Sequence, residues 1–333
     1  MLRAILLALC LAAAPAAHAQ VVSPHAIEIP AWFSESLLDL REDVREAAAA
    51  GRRVMLYFGQ DGCPYCKALM QVNFSQRPIV DKARRHFVAI ALNVWGDREV
   101  TWLDGRTQSE KALAARLKVQ FTPTLIFLDE SGAVALRVNG YYPPRRFEAA
   151  LDYVAGAMER KLSFQDWLAA NYREEASASL HDQPFFLAPP LELRRRPGAR
   201  PLAVLFETPY CAGCDELHRE GFARAEVKAE LAKVDVARVS LADAQLLVTP
   251  DGRRLSAERW ARELAIAYAP SIVFFDGARE VFRIEAYVRP FHLASSFAYV
   301  SSRAYRREPS FQRYLQARAE AMRRRGEEPD LWR

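Results

Sequence analysis

The chain has 333 residues, 51% hydrophobic and 26% charged, with a formal net charge of +5. That length predicts two or three domains, and that composition excludes a disordered or fibrous chain. The arginine runs 194–196 and 323–325 read as solvated linker and tail, or as a surface for an acidic partner, and the export expected from the leader described next argues against nucleic acid.

Taken in order, residues 1–19 read as a signal peptide. Arg3 gives the positive start, residues 4–14 are apolar, Pro15 breaks the run, and Ala17-His18-Ala19 fits a cleavage site. The apolar run is too short to span a bilayer, and no other stretch reaches that length. Leu9 before Cys10 argues against a lipoprotein. With the leader gone, the four cysteines left are Cys63, Cys66, Cys211 and Cys214, all in CxxC pairs. The expected location is the periplasm, where disulfides persist.

Residues 20–33 are a lead-in. Ser34 or Ser36 is expected to cap a helix running to about Ala50, with Leu37, Leu38, Leu40 and Val44 on its apolar side. Gly51 ends it. Residues 54–58 are a bulky apolar run of strand length. Gly59, Asp61, Gly62 and Pro64 supply turn chemistry, and 67–72 contains good helix formers. The pattern predicts strand, short loop, then a helix with Cys63-Pro64-Tyr65-Cys66 in its first turn.

There Cys63 lies beside unpaired backbone N–H groups at the positive end of the helix dipole, which favours a thiolate. Cys66 shares its face and can close a small disulfide. Pro64 suits the first turn, where no N–H is needed. A metal knuckle, haem attachment and an inert disulfide are the other readings. Haem attachment needs His after the second Cys, and Lys67 stands there. A four-Cys zinc site joins its pairs over about 15–20 residues, far fewer than separate Cys66 from Cys211. Redox chemistry is therefore the preferred reading.

Next come a helix over 78–84, a buried strand over 87–94, a loop over 95–107 and a helix over 109–117. Thr122-Pro123 leads into a strand over 125–128. A proline there is tolerated only at an edge or in a special turn. Residues 129–132 turn into 134–138 as a hairpin, and 147–158 is a closing amphipathic helix. The cysteines fall at the carboxyl end of the first strand, where open α/β sheets place chemistry.

The CxxC after a strand, Thr122-Pro123 before the hairpin and Gly140 beyond it together resemble the thioredoxin superfamily. The resemblance implies that Pro123 is cis and that its loop packs against the cysteines. It implies that Thr122 presents backbone groups to an extended substrate. Two features depart from ordinary thioredoxin. The dipeptide is Pro-Tyr, as in glutaredoxins and some Dsb-type proteins. Tyr57 stands where thioredoxin carries a buried acid, six residues before the first Cys. Asp61 and Lys67 are nearby charges whose simplest role is solvation.

The chain then repeats itself. Cys63 maps onto Cys211, Pro123 onto Pro270, Tyr153-Val154 onto Tyr299-Val300, and Ser163-Phe164-Gln165 onto Ser310-Phe311-Gln312, all at offsets of 146 to 148 residues. The repeat includes an extra helix, 163 to about 174 and 310 to about 324, expected to pack on its own domain. Docking the two copies, or holding a partner, is the alternative. Residues 178–200, with Pro184, Pro189, Pro190 and Pro197, read as a linker. The expected domains are 20–177 and 201–325, with a tail over 326–333.

In the second pair Ala-Gly replaces Pro-Tyr, and Asp215 replaces Lys67. A negative charge after Cys214 favours thiols, so Cys211 is expected to be less acidic and its disulfide more reducing. His218, one turn past Cys214, completes a plausible copper or zinc set with the cysteines. Met70 at the matching place favours a packing role, and no metal is assigned.

The fold class is thus α/β: two tandem thioredoxin-like domains, each a central mixed sheet flanked by helices with an extra C-terminal helix. The arrangement is similar to periplasmic thioredoxin-like proteins of the SoxW type, associated with sulfur oxidation and fed by membrane thiol reductases of the DsbD/CcdA kind. That resemblance implies a reductive protein disulfide oxidoreductase acting on periplasmic protein substrates without a cofactor. Cys63 and Cys211 would attack, and Cys66 and Cys214 would resolve. Thr122-Pro123 and Ala269-Pro270 would be the cis-Pro loops, with Pro64, Tyr65 and Lys67 as neighbours of the first pair. A disulfide isomerase or oxidase, and a copper chaperone or client-binding module, are the alternatives.

Overall fold

The computed structural model describes residues 26–172, 175–196, 198–241, 243–266, 268–285 and 288–330. The expected signal peptide over 1–19 lies outside them. The first half runs α1 (Leu40–Ala49), β1 (Arg53–Gly59), α2 (Pro64–Ala68), α3 (Arg77–His86), β2 (Phe87–Asn93), β3 (Glu99–Thr101), β4 (Thr107–Ser109), α4 (Glu110–Arg116), β5 (Thr124–Leu128), β6 (Val134–Asn139), α5 (Pro144–Ala155) and α6 (Phe164–Asn171). The second runs β7 (Leu202–Glu207), α7 (Ala212–Glu216), α8 (Ala225–Leu231), β8 (Asp235–Ser240), β9 (Leu246–Val248), β10 (Arg254–Ser256), α9 (Ala257–Glu263), β11 (Ser271–Asp276), β12 (Arg279–Ile284), α10 (Pro290–Ser301) and α11 (Phe311–Arg324).

Each half holds a four-stranded mixed sheet, ordered β2-β1-β5-β6 and β8-β7-β11-β12. The first two strands of each order pair in parallel, and the rest pair antiparallel. Strand β1 is buried on both faces because alternate side chains feed two cores. Met55 and Tyr57 join one apolar cluster, and Val54, Leu56 and Phe58 join the other.

Three local expectations are corrected. Helix α1 is capped by Asp39, whose carboxylate accepts the Arg41 N–H, and not by Ser34 or Ser36. Leu38 takes φ 65°, which delays the helix, and Leu37 is left 99% exposed. The stretch 95–107 is not all loop, because β3 and β4 pair across it and bury Val100 fully. The first extra helix ends at Asn171; Glu174, its expected end, lies outside the described residues.

Within the proline-rich stretch, residues 186–193 pack on the second half. Phe186 bridges to Val236 and Glu192 to Val248, and Leu193 is fully buried. The sequence signal there was proline, which stops helices but does not prevent extended chain from lying along a sheet edge.

The halves meet through matching elements. Phe121, just before Thr122-Pro123, sits in the second half's core, 5.2 Å from the Phe311 ring and 5.6 Å from the Phe282 ring. Tyr268, the matching residue before Ala269-Pro270, sits in the first half's core and stacks on Tyr142 at 4.8 Å. Asn139 at the end of β6 donates to Glu285, its repeat mate just past β12. The interface is thus a pseudo-two-fold exchange of cis-Pro loops. Helix α11 serves both expected roles: Phe311, Leu315 and Ala319 pack in its own core, while Gln312 bonds to Gln120 O at 2.8 Å and to Gln60 at 2.8 Å.

Asp276 at the end of β11 carries a testable charge effect. Burial pushes its carboxyl up, but bonds from Arg303, Tyr305 and Arg306 win and hold it at about 2. A depressed acid contributes stability above its unfolded pKa, about 3.9, and loses it as pH falls toward 2. Asp276→Asn is expected to cost about 2 kcal/mol at pH 7 and nothing near pH 2, read by urea unfolding at both pH values. An equal loss at both would show that the ion pairs contribute nothing.

Candidate functional site

Cys63 follows β1 and is the N-cap of α2, with its sulfur accepting the Cys66 N–H at 3.0 Å. The two cysteines form a disulfide with Cα atoms 5.2 Å apart, an ordinary pairing distance. Pro64 occupies the first turn, as its missing N–H allows. Helix α2 passes into a π turn over Leu69–Asn73, a distortion frequent at functional sites. The Thr122–Pro123 bond is cis, and the Thr122 hydroxyl donates to the Cys63 sulfur at 3.3 Å. Lys67 is exposed, and Asp61 accepts the Ile27 N–H at 3.0 Å, which ties down the lead-in.

Beneath this pair lies Tyr57, buried in an apolar cluster. Burial, with Asp61 adding to it, pushes its phenol well above the usual range, so it stays neutral and takes no proton near pH 7. A Cβ at Gly59 would collide with the Tyr57 hydroxyl. The tyrosine therefore excludes a side chain at 59.

The second pair repeats the geometry. Cys211 is the N-cap of α7, its sulfur accepts the Cys214 N–H at 3.1 Å, and the Cα atoms are again 5.2 Å apart. The Ala269–Pro270 bond is cis, and the proline ring packs against Gly213. Here Leu205 replaces Tyr57 and Glu207 replaces Gly59. Glu207 is fully buried, with one oxygen 2.9 Å from His218 Nε2. His218 is itself buried, its Nδ1 lies 3.1 Å from Gln183, and its ring stacks on His181 at 4.7 Å. Both ring nitrogens are therefore engaged by protein groups. Among the described residues no cluster of three metal-ligating side chains occurs.

Asp215 is not a loose negative charge. It accepts from His181 at 2.6 Å and from the Ser177 N–H at 2.8 Å. Burial raises its carboxyl, but the His181 bond leads the interactions that overcome it and lower it.

Each pair also touches the opposite half. The Tyr65 hydroxyl accepts the Arg289 N–H at 3.1 Å and lies 3.4 Å from His292 Nδ1. Burial pushes His292 down to about 4, so it is neutral at pH 7. In mirror fashion Arg146 of α5 lies over Gly213, 3.4 Å from where a Cβ would stand, bonds the Tyr268 hydroxyl, and covers the Tyr268 ring at 4.6 Å. Arg146 and His292 are repeat mates, as are Tyr65 and Gly213.

Sequence reasoning missed Glu207, His181, Arg146, Tyr268 and His292. The readable signal for Glu207 was the repeat itself, because Tyr57/Gly59 and Leu205/Glu207 exchange bulk for charge at matched positions. The cross-half residues carry no local signal.

A family profile described as a thioredoxin-like domain matches residues 40–155 and again 194–301. The thiol:disulfide interchange protein DsbD of Ralstonia nicotianae is 33% identical over 130 residues, 39% of this chain and 20% of that relative. The match thus spans about a fifth of that relative's length. A thioredoxin-fold protein from Helicobacter pylori is 24% identical, covering 41% of this chain and 92% of that one, with TM-score 0.31. A thioredoxin from Thermus thermophilus is 28% identical, covering 35% and 83%, with TM-score 0.28.

Proposed function

The chain belongs to the thioredoxin-like domain family, and on that premise we propose that it is an exported thiol–disulfide oxidoreductase that reduces disulfides of periplasmic proteins at two CxxC sites. The observation that carries this reading is the coincidence, in each half, of a CxxC disulfide at a strand end with a cis-Pro loop against it. Export is supported by the leader reading of residues 1–19 and by cysteine usage, since every cysteine after the leader stands in a CxxC pair.

The step balances within thiols and disulfides. The Cys63 thiolate attacks one sulfur of a substrate disulfide and expels the other as a thiolate. Cys66 then attacks Cys63 in the mixed disulfide and releases the second substrate thiol. The substrate gains two electrons, and the Cys63–Cys66 disulfide forms. Cys211 and Cys214 act likewise. A dithiol donor must return two electrons, and a membrane thiol reductase of the DsbD/CcdA kind fits that need. Thr122 supports attack at site one through its hydroxyl on the Cys63 sulfur.

The test is an alkylation-trapped redox titration of each pair in a chain lacking the other. The expected result is a value near that of thioredoxin, about −270 mV, for at least one site. Values near about −120 mV for both would make the chain an oxidase.

A further inference from the structure

We propose that a cavity at the seam between the halves is a binding site for a small aromatic carboxylate, with Arg137 as the partner of its anionic group. The inference stands apart from the redox reading.

The cavity has a volume of about 670 Å³ and is walled by both halves. Its size, and its place between two domains, are usual for a small-molecule site. Phe121, Phe282 and Tyr299 give it an aromatic wall. Arg137 stands on β6, and each of its three nitrogens bonds a residue that also lines the cavity. Nε donates to the Asn139 side-chain oxygen at 2.9 Å, Nη1 to Leu117 O at 2.7 Å and Nη2 to Lys118 O at 3.0 Å. The guanidinium itself therefore forms part of the wall. Those bonds use three of its five N–H donors.

The repeat shows what this arginine lacks. Its mate is Arg283 on β12, and the two stand opposite Ile126 and Val273 at matched places in their sheets. Arg283 likewise bonds the leucine just past a helix, Leu264 O at 3.1 Å. It also bonds two carboxylates, Glu280 at 2.6 and 2.7 Å and Glu285 at 2.9 Å. The mates of those acids are Val134 and Asn139, so Arg137 bonds only neutral oxygens. Burial, with Arg283 adding to it, pulls the Arg137 guanidinium down despite the nearby charge of Glu285. Glu285 itself is bonded by Arg283 and by Asn139. Around the cavity Lys118, Arg137, Arg279 and Arg283 stand against Glu280 and Glu285, so cations are in excess. A buried cation among neutral partners is costly, and a ligand carboxylate would offset that cost through charge-assisted bonds. An aromatic body on the same ligand would cover the rings of the wall.

The experiment titrates the isotope-labelled full chain with hydrocinnamate and with its amide, following backbone amide resonances. The acid is expected to bind with a Kd of about 1 mM or tighter. It should shift Phe121 and Val281 together, one from each half, because both line the cavity. The amide should bind at least about tenfold more weakly, since it forfeits the charge-assisted bonds. Arg137→Gln should weaken the acid by a similar factor, and Arg137→Lys should keep part of its affinity. The peptide Gly-Gly-Phe carries the same chemistry on a chain end. Tighter binding by it than by the free acid would make the natural source a protein tail, with the site unchanged. Equal binding of acid and amide would overturn the proposal. So would acid binding that Arg137→Gln leaves unaltered, shifts confined to residues away from the cavity, or no binding up to about 10 mM. Should Arg137→Gln lose its fold by circular dichroism, Val281→Trp takes its place. It adds bulk to the wall and leaves Arg137 intact, so undiminished binding to that variant overturns the inference.

Discussion

Cys63→Ser, in a chain whose second pair is Cys211→Ser and Cys214→Ser, is expected to lower disulfide-reducing turnover by at least about a thousandfold. The serine preserves the N-cap, because its oxygen can accept the Cys66 N–H as the sulfur does at 3.0 Å. It removes the sulfur that stands at the helix start and under the Thr122 hydroxyl. Cys66→Ser should behave differently. Cys66 is fully buried behind Cys63, so the first attack survives and the mixed disulfide accumulates. Insulin reduction measures turnover, and mass spectrometry of the quenched reaction measures the adduct. Adduct on Cys66 in the Cys63→Ser chain would reverse the assigned roles. Full turnover without Cys63 would remove the first pair from the chemistry.

The loop that carries each cysteine pair was legible because it rests on local chemistry. A strand, two glycines, a proline and two cysteines in one turn fix the loop whatever surrounds it. The repeat was legible for a related reason: landmarks at constant spacing survive divergence of the residues between them. What the sequence concealed was the meeting of the halves. Nothing local distinguishes Phe121 in its own core from Phe121 in the neighbour's, since both burials need the same apolar side chain. Asp215 shows the same limit for charge. Read along the chain it is a bare negative group beside Cys214, yet His181, far off in sequence, bonds it at 2.6 Å. The bulk-for-charge exchange between Tyr57/Gly59 and Leu205/Glu207 lies between these extremes. It is visible on aligning the copies, but only the space under the helix explains it.

The exchange of loops makes a second large effect follow from one residue. Phe121→Ala is expected to cost about 3–4 kcal/mol of stability, as truncations of buried phenylalanine do. It belongs to the first half by sequence, but its ring is lodged against Phe282 and Phe311. The second half should therefore lose protection first, read as hydrogen exchange in β12 and α11. A cycle with Phe282→Leu should give a coupling energy of at least about 0.5 kcal/mol, because the rings touch across the interface. Additive losses would mean that the contact contributes nothing of its own. Function should follow stability here. Phe121 is the chain neighbour of Thr122, and its carbonyl accepts the Thr124 hydroxyl at 2.8 Å. Freeing the ring thus loosens the loop that holds Thr122 over the Cys63 sulfur. Reduction at site one should slow in Phe121→Ala even at temperatures where the chain remains folded. A variant that melts early yet reduces disulfides at the parent rate would show that the loop keeps its place without the neighbouring half, and that the two sites work independently.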